Sequence, residues 1–227
     1  MKKTLLPFVR ENPYVWWGLF LPCYLAAFFT VEHFITDHYW ATQTAIDQYI
    51  PFCEYFAPLY VSWSPVLLAL GLYLLIKDPE GFRRYIWMLI LTFGTATLFC
   101  ALVPNGQDLR PAVMPRENLC SALVAYTYSL DTNTNVFPSV HVLGVVSIWC
   151  ALWRTPGLKK WYWRLAAAVW GSLVIASTLL IKQHAFIDVA AALPWGALGG
   201  FIVYGLIGKK RDREGKVYGR VAEKSAV

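Results

Sequence analysis

The chain has 227 residues, of which 57% are hydrophobic and 16% aromatic, and its mean hydropathy is +0.44. This length leaves little room for several domains. The apolar composition excludes an ordinary soluble domain, so we expect an integral membrane protein. The formal net charge of +6 does not indicate a nucleic-acid partner, because the basic residues flank apolar stretches, as membrane insertion requires.

The apolar stretches predict six transmembrane helices, each about 17 to 25 residues long, the length that a helix needs to cross a bilayer. In chain order they cover residues 14–35, 57–76, 85–104, 136–153, 162–181 and 187–207. The predicted fold is an all-α integral membrane bundle, with a six-span domain over residues 1–208 and a basic cytoplasmic tail over residues 209–227.

The distribution of positive charge predicts the orientation of the bundle. Lysine and arginine are retained in cytoplasmic loops, and all but three of the 20 basic residues lie in segments that would share one side of the membrane. We therefore expect both termini in the cytoplasm and Arg110, Arg116 and Lys182 outside. The short loops favour a bacterial cell membrane. Cys53 and Cys120 fall in outer loops, where a disulfide or two free thiols are the alternatives.

Two segments with a histidine lie at the outer ends of predicted helices. They are residues 135–141, with the sequence NVFPSVH, and residues 182–188, with the sequence KQHAFID. Ionisable groups are costly to place at the edge of the hydrocarbon region, so their presence there indicates a functional site. A long outer loop, residues 105–135, brings Arg110 to the same side of the membrane.

The histidines and the aspartate of these segments suit phosphoryl transfer through a phosphohistidine. Asp188 follows His184 by four residues, hence on one helix face, so it can fix the ring tautomer that leaves the other nitrogen nucleophilic. His141 can protonate the leaving oxygen. This chemistry requires neither a metal ion nor another cofactor.

Three further residues of the outer side are predicted to bind the substrate phosphate. Pro138 suits the first position of a helix, where unpaired backbone N–H groups and the Ser139 hydroxyl form an anion site. Arg110 can bind two phosphate oxygens at once, and Lys182 adds a point charge.

At these positions the sequence resembles the type 2 phosphatidic acid phosphatase superfamily. The matching positions are Arg110-Pro111, Pro138-Ser139-Val140-His141, and Ser177 followed by His184 and Asp188. The resemblance extends over nearly the whole chain in its layout of six spans. It implies that His184 is the nucleophile, that Asp188 orients it and that His141 is the acid.

The sequence departs from the family motifs at three positions. Val103 replaces a lysine, Val140 replaces a glycine, and Thr178 replaces an arginine that would bind phosphate. Lys182 is expected to restore one of the two missing cations and Arg116 the other. The variant motifs look more like the subgroup related to inositol phosphorylceramide synthases.

These features favour a membrane lipid phosphate phosphatase that hydrolyses phosphomonoesters of the phosphatidic acid type at the outer leaflet. Its expected partners are the lipid phosphate substrate and the surrounding membrane lipids. One alternative is a lipid phosphotransferase with the same histidine chemistry and an alcohol as acceptor. An alternative of another class is an ion- or proton-coupled transporter in which His141, His184 and Asp188 form the path.

Overall fold

The computed structural model describes residues 12–35 and 38–207, so the predicted tail at 209–227 lies outside the described residues. The described chain is mostly helical. Its α-helices in chain order are α1 (Phe20–Phe34), α2 (Ala57–Val61), α3 (Trp63–Lys77), α4 (Pro79–Leu102), α5 (Leu119–Leu130), α6 (Val140–Arg154), α7 (Trp161–Leu180) and α8 (Phe186–Gly200). Short 3-10 helices occupy Pro13–Leu19, Ala45–Gln48, Glu54–Phe56 and Pro156–Leu158, and a π-helix, Phe201–Ile207, follows α8.

Five helical runs among the described residues are long and apolar enough to cross a membrane. They are Pro13–Phe34, Glu54–Lys77, Pro79–Leu102, Trp161–Leu180 and Phe186–Ile207. Their number, length and apolar composition agree with the predicted helical membrane bundle. A helix suits a lipid environment because it satisfies its own backbone hydrogen-bonding groups. The count of six spans and the cytoplasmic position of the termini stay predictions.

The predicted fourth span is shorter than expected. α6 has 15 residues and rises about 22 Å, whereas the hydrocarbon core of a bilayer is roughly 30 Å thick. It begins at Val140, not at residue 136, because Ser139 has a non-helical backbone and caps the helix with its side chain. Pro138 also disfavours a helical conformation of the residue before it.

The core of the bundle is built around α6. This helix packs against α3, α4, α7 and α8, and eight of its residues are buried. Gly144 on α6 lets the indole of Trp63 on α3 lie directly against the helix, because an added Cβ atom at this position would overlap the indole ring. Close packing of this kind holds the polar end of α6 in one position relative to its neighbours.

A small parallel β-pair joins three connecting segments at the histidine end of α6. β1 (Trp40–Ala41) pairs with β2 (Asn105–Gly106), and Gly106 also forms a bridge with Thr134. The pattern of the sequence did not predict these strands, because two residues are too few to show the alternation of a strand. The two strands and the bridge therefore connect the segment before α6 to the segments that follow α1 and α4.

The five cysteines all lie in the described part of the chain and are free thiols. Cys53 and Cys120, for which a disulfide was one alternative, are therefore not paired here.

Candidate active site

The two histidine segments meet at one end of the bundle. His141 stands in the first turn of α6, and His184 precedes α8 by two residues, while Asp188 stands in the first turn of α8. His184 Nδ1 lies 3.4 Å from Asp188 Oδ2, and His184 Nε2 lies 3.4 Å from His141 Nδ1. His184 is 6% exposed and Asp188 is fully buried. The three predicted catalytic side chains thus form a row with His184 in the middle.

Helix capping places α6 and α8 against each other. Ser139 Oγ accepts a hydrogen bond from the Val142 N–H at 3.4 Å, and the Ser139 N–H donates to the carbonyl oxygen of Asp188 at 3.2 Å. Asp188 Oδ2 accepts from the Ala185 N–H at 2.7 Å and so caps α8. The predicted phosphate-binding groups of Ser139 are therefore already engaged in contacts that position both histidines.

A tight turn between α7 and α8 presents His184. The N–H groups of Gln183 and His184 both donate to the carbonyl oxygen of Thr178, at 3.0 and 3.1 Å. Lys182 has a φ angle of 56°, in the left-handed region, and this reverses the chain at the end of α7. The backbone of the turn therefore decides where His184 stands.

Two aromatic rings enclose the imidazole of His141. The ring centroid of Tyr60 lies 4.3 Å from that of His141 in a stacked arrangement, and the centroid of Trp63 lies 4.5 Å away. Tyr60 belongs to α2 and Trp63 to α3, so nothing in the sequence spacing connected them with the site. Their contacts fix the plane of the His141 ring and shield it from water.

The guanidinium of Arg110 is bound by oxygen atoms of the protein. Its Nη2 donates to the carbonyl oxygens of Asp131 and Thr132, at 2.9 and 2.5 Å, and to Oε1 of Gln183. Gln183 precedes His184 in the chain, and both residues line the cavity beside the histidines. Its role as a phosphate ligand stays a prediction.

The other two predicted outer cations also have protein partners. Lys182 Nζ donates to the carbonyl oxygens of Asp47 and Ile50, at 3.0 and 2.6 Å, and removal from water lowers the pKa of this ammonium group. Arg116 pairs with the buried carboxylate of Glu54, at 2.6 and 2.9 Å. None of the three outer cations lines the cavity beside the histidines.

A small cavity of about 20 Å³ lies beside the two histidine rings. Its lining includes Asp131, Asn135, His141 and His184. A second, mainly apolar cavity of about 230 Å³ is lined by residues of α2, α3 and α5 and shares Asp131 and His141 with the first. Asn135 belongs to one of the two sequence segments, but the sequence assigned it no role.

Asp131 is the acidic group of this cavity. Burial, together with the nearby carboxylate of Glu32, raises the pKa of its carboxyl group from 3.8 to about 6, although His184 and Arg110 act in the opposite direction. Protonation of Asp131 therefore takes place close to physiological pH.

The sequence of the region that contains this site matches a known family. Residues 84–212, more than half of the chain, match the family model described as the PAP2 superfamily. The chain belongs to the PAP2 superfamily. No curated protein and no solved structure matches the chain significantly. Membership in the PAP2 superfamily indicates phosphatase or related phosphoryl-transfer chemistry, and every predicted site residue lies within the matched range.

Two of the three positions at which the sequence departs from the expected family motifs have structural roles here. Val103 is the C-cap of α4. Thr178 is fully buried, its hydroxyl donates to the carbonyl oxygen of Ile175 at 2.7 Å, and its own carbonyl accepts the two hydrogen bonds of the turn. The subgroup related to inositol phosphorylceramide synthases stays a prediction. Over the described ranges, no cluster of three or more His, Cys, Asp or Glu side chains is arranged to hold a metal ion.

Proposed function

We propose that this protein hydrolyses lipid phosphomonoesters of the phosphatidic acid type through a phosphohistidine intermediate. The observation that carries the proposal is the row of Asp188, His184 and His141, with 3.4 Å between successive side chains. Asp188 Oδ2 lies 3.4 Å from His184 Nδ1 without a hydrogen bond between them, and in the proposed reaction it moves closer and accepts the Nδ1–H, which leaves the Nε2 lone pair available for attack. Membership in the PAP2 superfamily favours such an enzyme over the transporter alternative.

In the first half of the proposed reaction, His184 Nε2 forms a bond to phosphorus while the bond between phosphorus and the lipid oxygen breaks. The electron pair of the broken bond remains on the lipid oxygen, which takes a proton from His141. The two ring nitrogens lie 3.4 Å apart and the cavity beside them has a volume of about 20 Å³, so in the proposed reaction the rings move apart when the phosphoryl group binds, and contacts to phosphate replace the direct contact between Nε2 and Nδ1.

In the second half, a water oxygen attacks phosphorus and His141, now neutral, takes a proton from that water. The bond between phosphorus and Nε2 breaks, its electron pair returns to His184, and inorganic phosphate leaves. His141 thus acts as an acid in the first step and as a base in the second, while His184 is first the nucleophile and then the leaving group.

The proposed phosphate ligands all have partners within the protein. Ser139 stands at the N-terminus of α6, where the helix dipole favours an anion, and its N–H and hydroxyl oxygen bind phosphate only after exchanging their contacts with Asp188 and Val142. Arg110 and Lys182 contribute a positive field from behind the cavity wall. Either of them contacts phosphate directly only after exchanging its present carbonyl partners.

The apolar cavity supports a lipid substrate. It shares Asp131 and His141 with the cavity beside the histidines, so an acyl or isoprenoid chain bound in it lies against the side chain of His141. The same cavity favours one second candidate, a phosphotransferase that binds a lipid alcohol there and uses it in place of water. Both enzymes share the first half reaction.

We also propose that the site faces the outer leaflet of a bacterial cell membrane. The support is the concentration of lysine and arginine in the segments at the opposite ends of the helices.

The function is tested with purified protein and three substrates, phosphatidic acid, lysophosphatidic acid and an isoprenoid phosphate. His184→Ala should abolish phosphate release, and Asp188→Asn should lower kcat by about 10² to 10⁴, by analogy with the loss of an orienting carboxylate in other histidine-based sites. His33→Ala is the matched control, because His33 lies at the end of α1, outside the site. Phosphate release by His184→Ala at the wild-type rate would rule out the mechanism.

The intermediate and the acceptor are tested in the same assay. Substrate with a labelled phosphate should transfer acid-labile label to the wild type and not to His184→Ala. If added lipid alcohol yields a phosphorylated alcohol at the expense of free phosphate, the protein is a phosphotransferase.

A further inference from the structure

Asn135 has an unusual environment in the cavity beside the histidines. Its side chain lines the cavity and the residue is only 5% exposed. Within the described part of the chain, neither Oδ1 nor Nδ2 has a hydrogen-bond partner. Buried amide groups are nearly always hydrogen-bonded, because an unpaired one loses its water without compensation. The cavity, at about 20 Å³, has room for roughly one water molecule, so a phosphate enters it only when the two histidine rings move apart. A carboxamide that faces the cavity in this unpaired state is suited to a polar ligand.

The backbone holds this side chain in place. Asn135 has a φ angle of 56°, a left-handed conformation that asparagine tolerates better than most residues. Its N–H donates to the carbonyl oxygen of Asn105, and the N–H of Phe137 donates to Asn105 Oδ1, both at 2.8 Å. Asn105 therefore fixes the chain on both sides of Asn135, so the carboxamide is positioned before any ligand binds.

The charges around the cavity indicate which ligand group the carboxamide meets. The predicted phosphate-binding cations are engaged by protein oxygens and do not line this cavity, whereas the acidic Asp131 does. A phosphate bound at His184 therefore needs a hydrogen-bond donor that remains available beside the carboxyl group of Asp131. A cationic donor would form an ion pair with that carboxyl group, whereas an uncharged donor would not. The uncharged N–H of Asn135 meets this requirement.

We propose that Asn135 is a substrate-binding residue whose Nδ2 donates a hydrogen bond to a non-bridging oxygen of the phosphate held at His184. The inference rests on the proposed function in that it places the phosphate at this histidine. The recognised group is a phosphoryl group, which a lipid phosphomonoester and free inorganic phosphate both carry. The two sources are separated by measuring kcat/KM for the lipid and binding of inorganic phosphate.

The test uses two substitutions that keep the backbone conformation. Asn135→Gly removes the side chain but retains the left-handed φ angle, and Asn135→Asp keeps the shape but replaces the donor by a negatively charged acceptor. Asn135→Gly should lower kcat/KM by about 10- to 100-fold, the effect of losing a hydrogen bond to a charged group. Asn135→Asp should lower it further. Inhibition by inorganic phosphate should weaken in the same order.

Asn133→Asp is the matched control. It introduces the same charge two residues away, outside the cavity, where the Asn133 side chain donates to the carbonyl oxygen of Gln107 at 2.7 Å. It should leave phosphate inhibition unchanged. The thermal unfolding midpoint of each variant is measured with and without inorganic phosphate, because a residue with only a structural role alters the midpoint without altering its rise with phosphate.

The possible outcomes separate this inference from the proposed function. If the wild type is active and His184→Ala is not, but Asn135→Gly keeps wild-type kcat/KM and phosphate inhibition, the role of Asn135 is refuted and the mechanism stands. If the wild type releases no phosphate, the proposed function fails. In that case a phosphate-induced rise in midpoint that Asn135→Gly lacks still supports the inference, and an equal rise in both proteins, or none in either, overturns it.

Discussion

The substitution Asp131→Asn tests the electrostatics of the cavity. The folded protein raises the pKa of Asp131 from 3.8 to about 6, mainly by burial and also through Glu32. A difference of about 2 pKa units corresponds to at most about 3 kcal/mol of stability, at about 1.36 kcal/mol per unit. Asparagine has the shape of the protonated carboxyl group and does not ionise. The variant therefore removes the dependence of stability on pH that Asp131 causes, and changes little else.

The sign follows from which state binds the proton more tightly. The folded protein binds the proton on Asp131 more tightly than the unfolded protein does. The resulting stabilisation of the folded state is therefore fully present below about pH 4 and is lost as the pH rises through about 6. Between these values the wild type should lose up to about 3 kcal/mol of unfolding free energy from this group. Asp131→Asn should lack this loss and be the more stable protein at neutral pH.

The assay is denaturant or thermal unfolding of the purified protein in detergent micelles, from about pH 4 to about pH 8, the range in which the linked proton is exchanged. Glu117→Gln, at an exposed position of the same outer loop, is the control and should keep the wild-type slope. Glu32→Gln should reduce the slope, because it removes a like charge from beside Asp131. A difference between the wild type and Asp131→Asn that does not vary with pH would refute the reasoning.

Three other predictions concern packing, charge and orientation. Gly144→Ala should destabilise the protein by about 1–3 kcal/mol, and under the proposed function it should also lower activity, because it displaces Trp63 from the imidazole of His141. Gly94→Ala, with nothing within 4 Å of the added atom, should be neutral or stabilising, and equal unfolding midpoints for the two variants would contradict this. Lys182→Met should lower the unfolding midpoint, because the carbonyl groups of Asp47 and Ile50 lose their hydrogen-bond donor. Weaker inhibition by phosphate at an unchanged midpoint would instead show that Lys182 binds phosphate directly. Val113, in the long loop, is 82% exposed. In a background without the native cysteines, Val113→Cys should react with a membrane-impermeant thiol reagent added outside intact cells. Reaction only after cell lysis would show that the predicted orientation is wrong.

The long helices were predictable because lipid leaves the backbone few choices. A stretch such as 162–181 must form a helix to satisfy its own N–H and C=O groups, and the helix observed is Trp161–Leu180. The start of α6 was not predictable from hydropathy, since Val136 is as apolar as a helical residue. The capping contact of Ser139, which ends the irregular segment, depends on local geometry that an average over a window does not detect.

The proximity of His141 to His184 could be predicted because each stands at the start of a helix on the same side of the bundle. Their catalytic roles stay predictions. The environment of the pair was not predictable, because Tyr60 reaches His141 only through the packing of α2. The partners of Arg110 were equally inaccessible, since a long cationic side chain leaves its charged end several ångströms from the position that the backbone defines.

The short length of α6 has a consequence for how a substrate reaches the site. If Arg154 holds one end of the helix at the headgroup level, the end with His141 lies about 8 Å below the opposite boundary of the hydrocarbon core, the difference between roughly 30 Å and about 22 Å. A lipid therefore needs only to sink slightly, with its chain still among its neighbours, for its phosphate to arrive at the histidines. Under the proposed function, the phosphate of a lipid and that of a water-soluble ester lose similar hydration on this descent, but only the lipid keeps its chain in the hydrocarbon throughout. The depth of the site therefore favours membrane-borne substrates.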